Sequence, residues 1–244
     1  MNFKSGINMT GSLTIKQYDL DGKLIKDLTV PNLVVTAGKE YVANRIVRND
    51  MTPMSHMAIG QSTTTSAASQ TDLISRAQTV TTTTTLNGTS ITYSASFPAS
   101  SAISIQEAGI FNALANKAVS FDGNLGITAS SSSITAMTPL TTVTSPATHS
   151  FVTGDQVRYT SSGGSSVGGL SDGNIYYIIN SSTTAIKLAT TSANASAGTA
   201  IAITSGTGTG HKLTAGTMMC RTTFPAVTKG VNDTVVISWT VTVG

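Results

Sequence analysis

Between Ile91 and Phe97 apolar and hydroxyl-bearing side chains alternate strictly, with Ile91, Tyr93, Ala95 and Phe97 on one face and Thr92, Ser94 and Ser96 on the other. A period of two predicts a half-buried β-strand. The C-terminal run TVVISWTVTV repeats the pattern: Val235, Ile237, Trp239, Val241 and Val243 share a face, which puts the lone tryptophan in a sheet core. Asn87-Gly88 ahead of the first run supplies the positive φ that a tight hairpin needs. Asp21-Gly22 does the same within GSLTIKQYDLDGKLIKDLTV (residues 11–30), predicting two strands around that turn. Two segments carry helical signals. TAGKEYVANRIVRN predicts a short helix capped by Thr36, with Tyr41, Val42 and Ile46 toward the core, and TDLISRA predicts one or two turns capped by Thr71.

Residues 130 to 212 have a different texture, richer in Ser, Thr, Gly and Ala and poorer in helix signals. They read as a separate small β unit with strands at DQVRY, NIYYII and AIKLA. Between the first two lies GGSSVGGLSDG, which looks at first like a phosphate-binding loop. It has neither GxxxxGK[ST] nor GxGxxG, and a strand follows it rather than a helix whose N-terminus could face an anion. The expectation is a chain turn.

Composition narrows the function classes. Of the 244 residues 10% are charged, 5% aromatic and 39% hydrophobic, which suits strands with hydroxyl-bearing faces. The net charge of +3 comes from scattered Lys and Arg, so the basic stripe that nucleic acid requires is lacking and no nucleic-acid partner is expected. Cys220 is the single cysteine, which excludes an intrachain disulfide and a Cys-rich metal site; a small core residue is expected. No apolar run reads as a signal peptide or a membrane span, so synthesis in a host cytoplasm and release by lysis are expected. Glu40 and Glu107 are the only glutamates, and nothing in the spacing favours the carboxylate pair of a glycosidase. DLDG (19–22) resembles the opening of a calcium loop but lacks its later ligands. His56, His149 and His211 have no metal-ligand spacing, although His149 and His211 flank the small β unit and could meet in space. No residue is therefore put forward as catalytic, cofactor-binding or metal-ligating, no cofactor is expected, and the chain reads as a non-enzyme.

Four stretches, NLVVTAGKEYVANRIV (32–47), MSHMAIGQSTTTSAASQTDLISRAQ (54–78), QEAGIFNA (106–113) and GTMMCRTTFPAVTKGVNDTVVISWTVTV (216–243), resemble in content and order a family of uncharacterised tailed-bacteriophage structural proteins. The succession of AIG, a Thr-Asp-Leu segment, EAGIF and closing strands is also similar to domains that anchor phage tail fibres. In such proteins EAGIFNA is followed almost at once by a strand like GTMMCRTTF. Here 114–213 intervene, and HSFVTGDQVRYTSSGGSSVGGLSDGNIYYIINSSTTAIKLATTSANASAGTAI within them is similar to a module of bacterial surface proteins and phage fibres.

The expected fold is mainly β: a β-sandwich base domain, residues 1–113 and 214–244, with one or two short helices, and an inserted small β module, 114–213. The resemblance implies a virion component, associated with the tail fibre or baseplate. Its partners would be other virion proteins (tail, baseplate or major capsid protein) and further copies in a symmetric homo-oligomer, such parts often being trimers. An insertion tolerated at a loop tip would project and could meet a host-surface glycan. A capsid decoration protein and a carbohydrate-binding bacterial surface adhesin are the alternatives.

Overall fold

The computed structural model describes residues 8–47, 52–114, 117–121, 133–134, 137–138, 149–161, 164–182, 185–204 and 210–244. The chain is mainly β and divides into two compact units, Met1–Leu114 with Thr217–Gly244, and Ala115–Gly216.

The first unit opens with β1 (Met9–Tyr18), β2 (Leu24–Pro31), β3 (Leu33–Val34) and α1 (Thr36–Val47). β4 (His56–Gly60), β5 (Arg76–Thr81), β6 (Thr83–Asn87), β7 (Ser90–Phe97) and β8 (Ile103–Phe111) follow. The second unit holds β9 (Lys117–Phe121), β10 (Ser133–Ile134), β11 (Met137–Thr138), β12 (Gln156–Thr160), β13 (Ile175–Ser182), β14 (Ala185–Ala189), α2 (Ser192–Ser196) and β15 (His211–Ala215). The chain then returns to the first unit as β16 (Met218–Lys229) and β17 (Thr234–Val243).

The first unit is a sandwich-like pair of antiparallel five-stranded sheets, ordered β2-β1-β17-β7-β6 and β3-β16-β8-β4-β5. Strict alternation fixes the first sheet's register, because a slip by one residue would turn every apolar side chain outward. Leu13, Trp239 and Tyr93 stand opposite one another across β1, β17 and β7, as do Ile15, Ile237 and Ala95. All six are buried, Trp239 completely. β16 pairs with β8, so EAGIF and MMCRTTF are neighbours despite the residues between them. The amide of Thr217 donates to Asn112 Oδ1 at 2.6 Å, and that of Asn112 to Thr217 O at 3.3 Å.

Among the described residues the strands of the second unit form one antiparallel sheet ordered β10-β14-β13-β12-β15-β9-β11. Its first and last described strands pair, Lys117 opposite Ala215. Phe121, Phe151, Val157, Tyr159, Ile178, Ile186 and Leu213 form its core.

Three local expectations need correction. α1 runs Thr36–Val47, but Ile46 is 69% exposed. The helix presses on β16 at Gly38, where a Cβ would come within 2.2 Å of Met219 O, and its buried face passes through Gly38 and Tyr41; Ile46 lies off that face. TDLISRA is not helical: it is an irregular segment that ends as Arg76 enters β5. The hairpin after β6 turns on Gly88-Thr89, with Asn87 already paired to Ser90.

Candidate functional site

The stretches that carry the resemblance meet at one place. Glu107 on β8 and Arg221 on β16 are both fully buried, with Arg221 Nη2 2.6 Å from Glu107 Oε2. In the strand register Arg221 faces Gly109, and Glu107 lies next to it between Gly60 of β4 and Thr223 of β16. A buried ion pair holds only when its remaining donors and lone pairs are also satisfied. Here they are. Arg221 Nε donates to Glu107 Oε2 at 3.0 Å, Nη1 to Ser66 Oγ and Gln70 Oε1, and Nη2 to Thr64 O as well as to Glu107. The carboxylate accepts from the amides of Ile74 (3.1 Å, Oε2) and Ser75 (2.7 Å, Oε1). The pair thus clamps the loop 61–75 onto the sheet from both ends.

The same demand explains why TDLISRA is not a helix. An isolated helix of that length is marginal, whereas a buried carboxylate rewards strongly the two backbone amides that a non-helical course turns toward it. Asp72 accepts from the Leu73 amide at 2.7 Å and pairs with Arg76, whose guanidinium lies 4.0 Å above the Phe111 ring. Leu73 fills a pocket with Val35, Ala58, Phe111 and Met218. The loop fits because two strand positions have no side chain: a Cβ at Gly60 would sit 2.5 Å from Glu107 Oε1, and one at Gly109 3.1 Å from Leu73 Cδ2.

The second unit secures its glycine-rich stretch with two tyrosine hydroxyls and one exposed carboxylate, and with no buried ion pair among the described residues. The buried Tyr159 hydroxyl accepts the Val167 amide at 2.9 Å and lies 2.8 Å from His211 Nδ1. Asp172 accepts the Ser161 amide, and the Tyr176 hydroxyl accepts the Ser171 amide. Val167 and Leu170 are buried in the core. Gly169 has φ +93 and a Cβ there would meet Ala202 O at 2.3 Å, so the glycine serves both a turn and a close approach. Strand β13 follows the turns. His211 stacks on Phe121, while His149 Nδ1 accepts the Phe151 amide, and its Nε2 lies 3.4 Å from Ala185 O. His56 Nδ1 is 2.9 Å from Ser55 Oγ. Among the described residues no three His, Cys, Asp or Glu side chains group as a metal set. Asp19 of DLDG accepts the amides of Asp21 and Lys23, closing the β1–β2 turn.

Two surfaces of the first sheet remain. Its outer face carries rows of hydroxyls that run across the strands, including Ser12, Thr240, Thr92 and Thr85 in register. Thr92 and Thr240 hydroxyls are 3.0 Å apart, Ser90 and Thr242 2.8 Å, Thr14 and Thr29 3.0 Å. On the inner face an apolar groove of about 450 Å³ opens beside β6, with Leu86, Ile91, Val241 and Val243 as its floor and Tyr41 and Met54 opposite. The Tyr41 hydroxyl donates to Thr52 O at 2.7 Å, and burial raises its pKa above the ordinary value. Burial likewise pushes Cys220 up to about 12, leaving an unreactive thiol.

Sequence reasoning weighed Glu107 only as half of a carboxylate pair and passed over Arg221. A signal was present: Glu107 is the only charge in ISIQEAGIF and Arg221 the only charge in MMCRTTF, and the two are opposite in sign. Among the described residues no helix is long and apolar enough to cross a membrane. Comparison of the chain with family models, curated proteins and solved structures finds no match.

Proposed function

We propose that this chain is a non-enzymatic structural protein of a tailed-phage particle, associated with the tail fibre or baseplate, that works by assembling with copies of itself and with neighbouring virion proteins. One observation carries the reading: AIG, EAGIF, MMCRTTF and the segment that begins with TDL, the motifs of the resemblance, come together around Glu107 and Arg221, the last through the amides of Ile74 and Ser75. Their polar atoms are spent on the protein's own loop. Motifs that brace a scaffold suit a building part, whereas a catalytic motif presents its groups to a substrate. The low-charge outer face with its hydroxyl rows favours contact with like surfaces over recognition of a charged ligand. The second unit, entered and left through adjacent strands, is the part available to a host-surface glycan.

The test is immunogold electron microscopy of purified particles with an antibody against this chain, read beside mass spectrometry of their proteins. Label at the tail tip or fibres is the expected outcome. Label spread over the shell would transfer the protein to capsid decoration, and absence from washed particles would overturn the virion reading.

A further inference from the structure

The first sheet ends in two edges of opposite character. β2 carries Lys26, Asp27 and Pro31, with Lys26 donating to Ala226 O and Asp27 3.8 Å from Lys16. Charge and proline are the usual guards of a solitary edge. β6, Thr-Thr-Thr-Leu-Asn, has neither, and all five residues are exposed. Among the described residues only β7 pairs with it.

We propose that β6 joins two copies of this chain edge to edge, as an antiparallel pair about a two-fold axis at Thr85. The proposal deepens, and rests on, the assembly reading above. Because the hairpin turns on two residues, Asn87 and Ser90 form a hydrogen-bonded pair, and by alternation so do Thr85 with Thr92 and Thr83 with Ser94. The amides and carbonyls of Thr84 and Leu86 therefore point away from β7, toward the free edge. Set antiparallel about Thr85, Thr84 of one copy stands opposite Leu86 of the other, and each such pair exchanges two backbone bonds, about four in all. Thr85 then meets its own counterpart at the position where side chains approach most closely. Their hydroxyls would extend the row Thr240, Thr92, Thr85 across the axis, by the same contact that Thr92 and Thr240 already make.

The inner face agrees. Thr84 and Leu86 both line the apolar groove, and Leu86 is 70% exposed. In the pairing Leu86 of each copy lies beside Thr84 of the other, at the lip of its groove, so the two apolar floors become continuous. The strand is its own complement: it brings no like charges together, and every outward side chain that meets across the axis is Thr or Asn. That self-complementarity selects a second copy over a foreign strand.

The experiment uses the full chain and exploits its single, buried native cysteine. Thr85→Cys is purified and mildly oxidised, with Thr83→Cys as control. Facing positions at a non-hydrogen-bonded antiparallel site are within disulfide reach, whereas two copies of position 83 would be about 13 Å apart. Most of the Thr85→Cys protein should run as a covalent dimer, and Thr83→Cys should not. Thr84→Pro, which removes only an outward amide, should sediment as a monomer where the natural chain is a dimer, with unchanged circular dichroism. An oligomeric natural chain without the Thr85→Cys cross-link would overturn the edge pairing yet leave the assembly reading intact. Equal cross-linking at 83 and 85, or a disulfide from position 85 to a different particle protein, would also overturn it. A natural chain that stays monomeric at its solubility limit does so too, and if absent from particles it takes the assembly reading with it.

Discussion

Both units hold a long irregular segment against a sheet, and they do so with opposite chemistry. In the first, loop 61–75 is gripped by a buried ion pair whose guanidinium and carboxylate are fully engaged. In the second, the stretch between β12 and β13 is held by the hydroxyls of two buried tyrosines, Tyr159 and Tyr176, and by a carboxylate at the surface. A charged anchor is strong only while both partners remain, since removing one strands a buried charge. A neutral anchor strands only an uncharged donor, which costs less than a stranded charge. The first unit should therefore be the more brittle of the two toward single substitutions, and the second the more forgiving.

The largest effect is expected for Glu107→Ala. It leaves Arg221 buried without its counter-charge and the Ile74 and Ser75 amides without an acceptor, so destabilisation of about 3–5 kcal/mol should appear in chemical denaturation. Hydrogen exchange should rise across 61–75. A loss below about 1 kcal/mol would mean that water satisfies the arginine, and the contrast between the units would collapse.

Tyr159→Phe is the matching change in the second unit. It removes the acceptor of the Val167 amide while keeping the ring, and should cost about 1–3 kcal/mol. The first unit's exchange pattern should stay unaltered. An effect as large as that of Glu107→Ala would show the two anchors to be equivalent after all.

Excising 115–216 sharpens the comparison differently. Asn112 and Thr217 are hydrogen-bonded within the first unit, so Leu114 joined to Thr217 through a short Gly/Ser linker should retain one cooperative unfolding transition. A molten product would mean that the clamp cannot hold the sandwich by itself.

Acid should separate the units most gently. Burial, helped by the charge of Arg76, holds the His56 pKa below its ordinary 6.5, so the neutral imidazole is the stabilising form. That contribution is complete above 6.5 and fades as pH falls toward the lower folded value. Asp172 has its pKa depressed below 3.8 by the amide and hydroxyl of Ser161 with help from Arg158. Its contribution persists until pH drops below 3.8. Protection against exchange near His56, relative to the intrinsic rate at each pH, should thus fall as pH drops below 6.5 while the Ser161 turn stays protected. Simultaneous loosening would contradict the assignment.

Alternation alone was enough to read β7 and β17, because a strand that faces core on one side and water on the other must write that period into its residues, while β1 and β2 were legible from the Asp21-Gly22 turn between them. The position of Trp239 followed from the same alternation, and the glycine turn before β13 from its turn composition. Other features depend on partners remote in sequence. TDLISRA has a cap residue and helical spacing, yet its amides go to a carboxylate that belongs to β8. Ile46 matches a helical face by spacing, but the side of α1 that packs is chosen by the contact of Gly38 with β16. Glu107 and Arg221 are separated by the whole second unit, and only strand pairing brings them into contact. Local pattern determines which residues become strands and turns, since those preferences act over a few residues. Which buried donor meets which acceptor, and which edge strand is left open, is decided by the tertiary structure, because hydrogen-bond satisfaction is a property of the assembled interior.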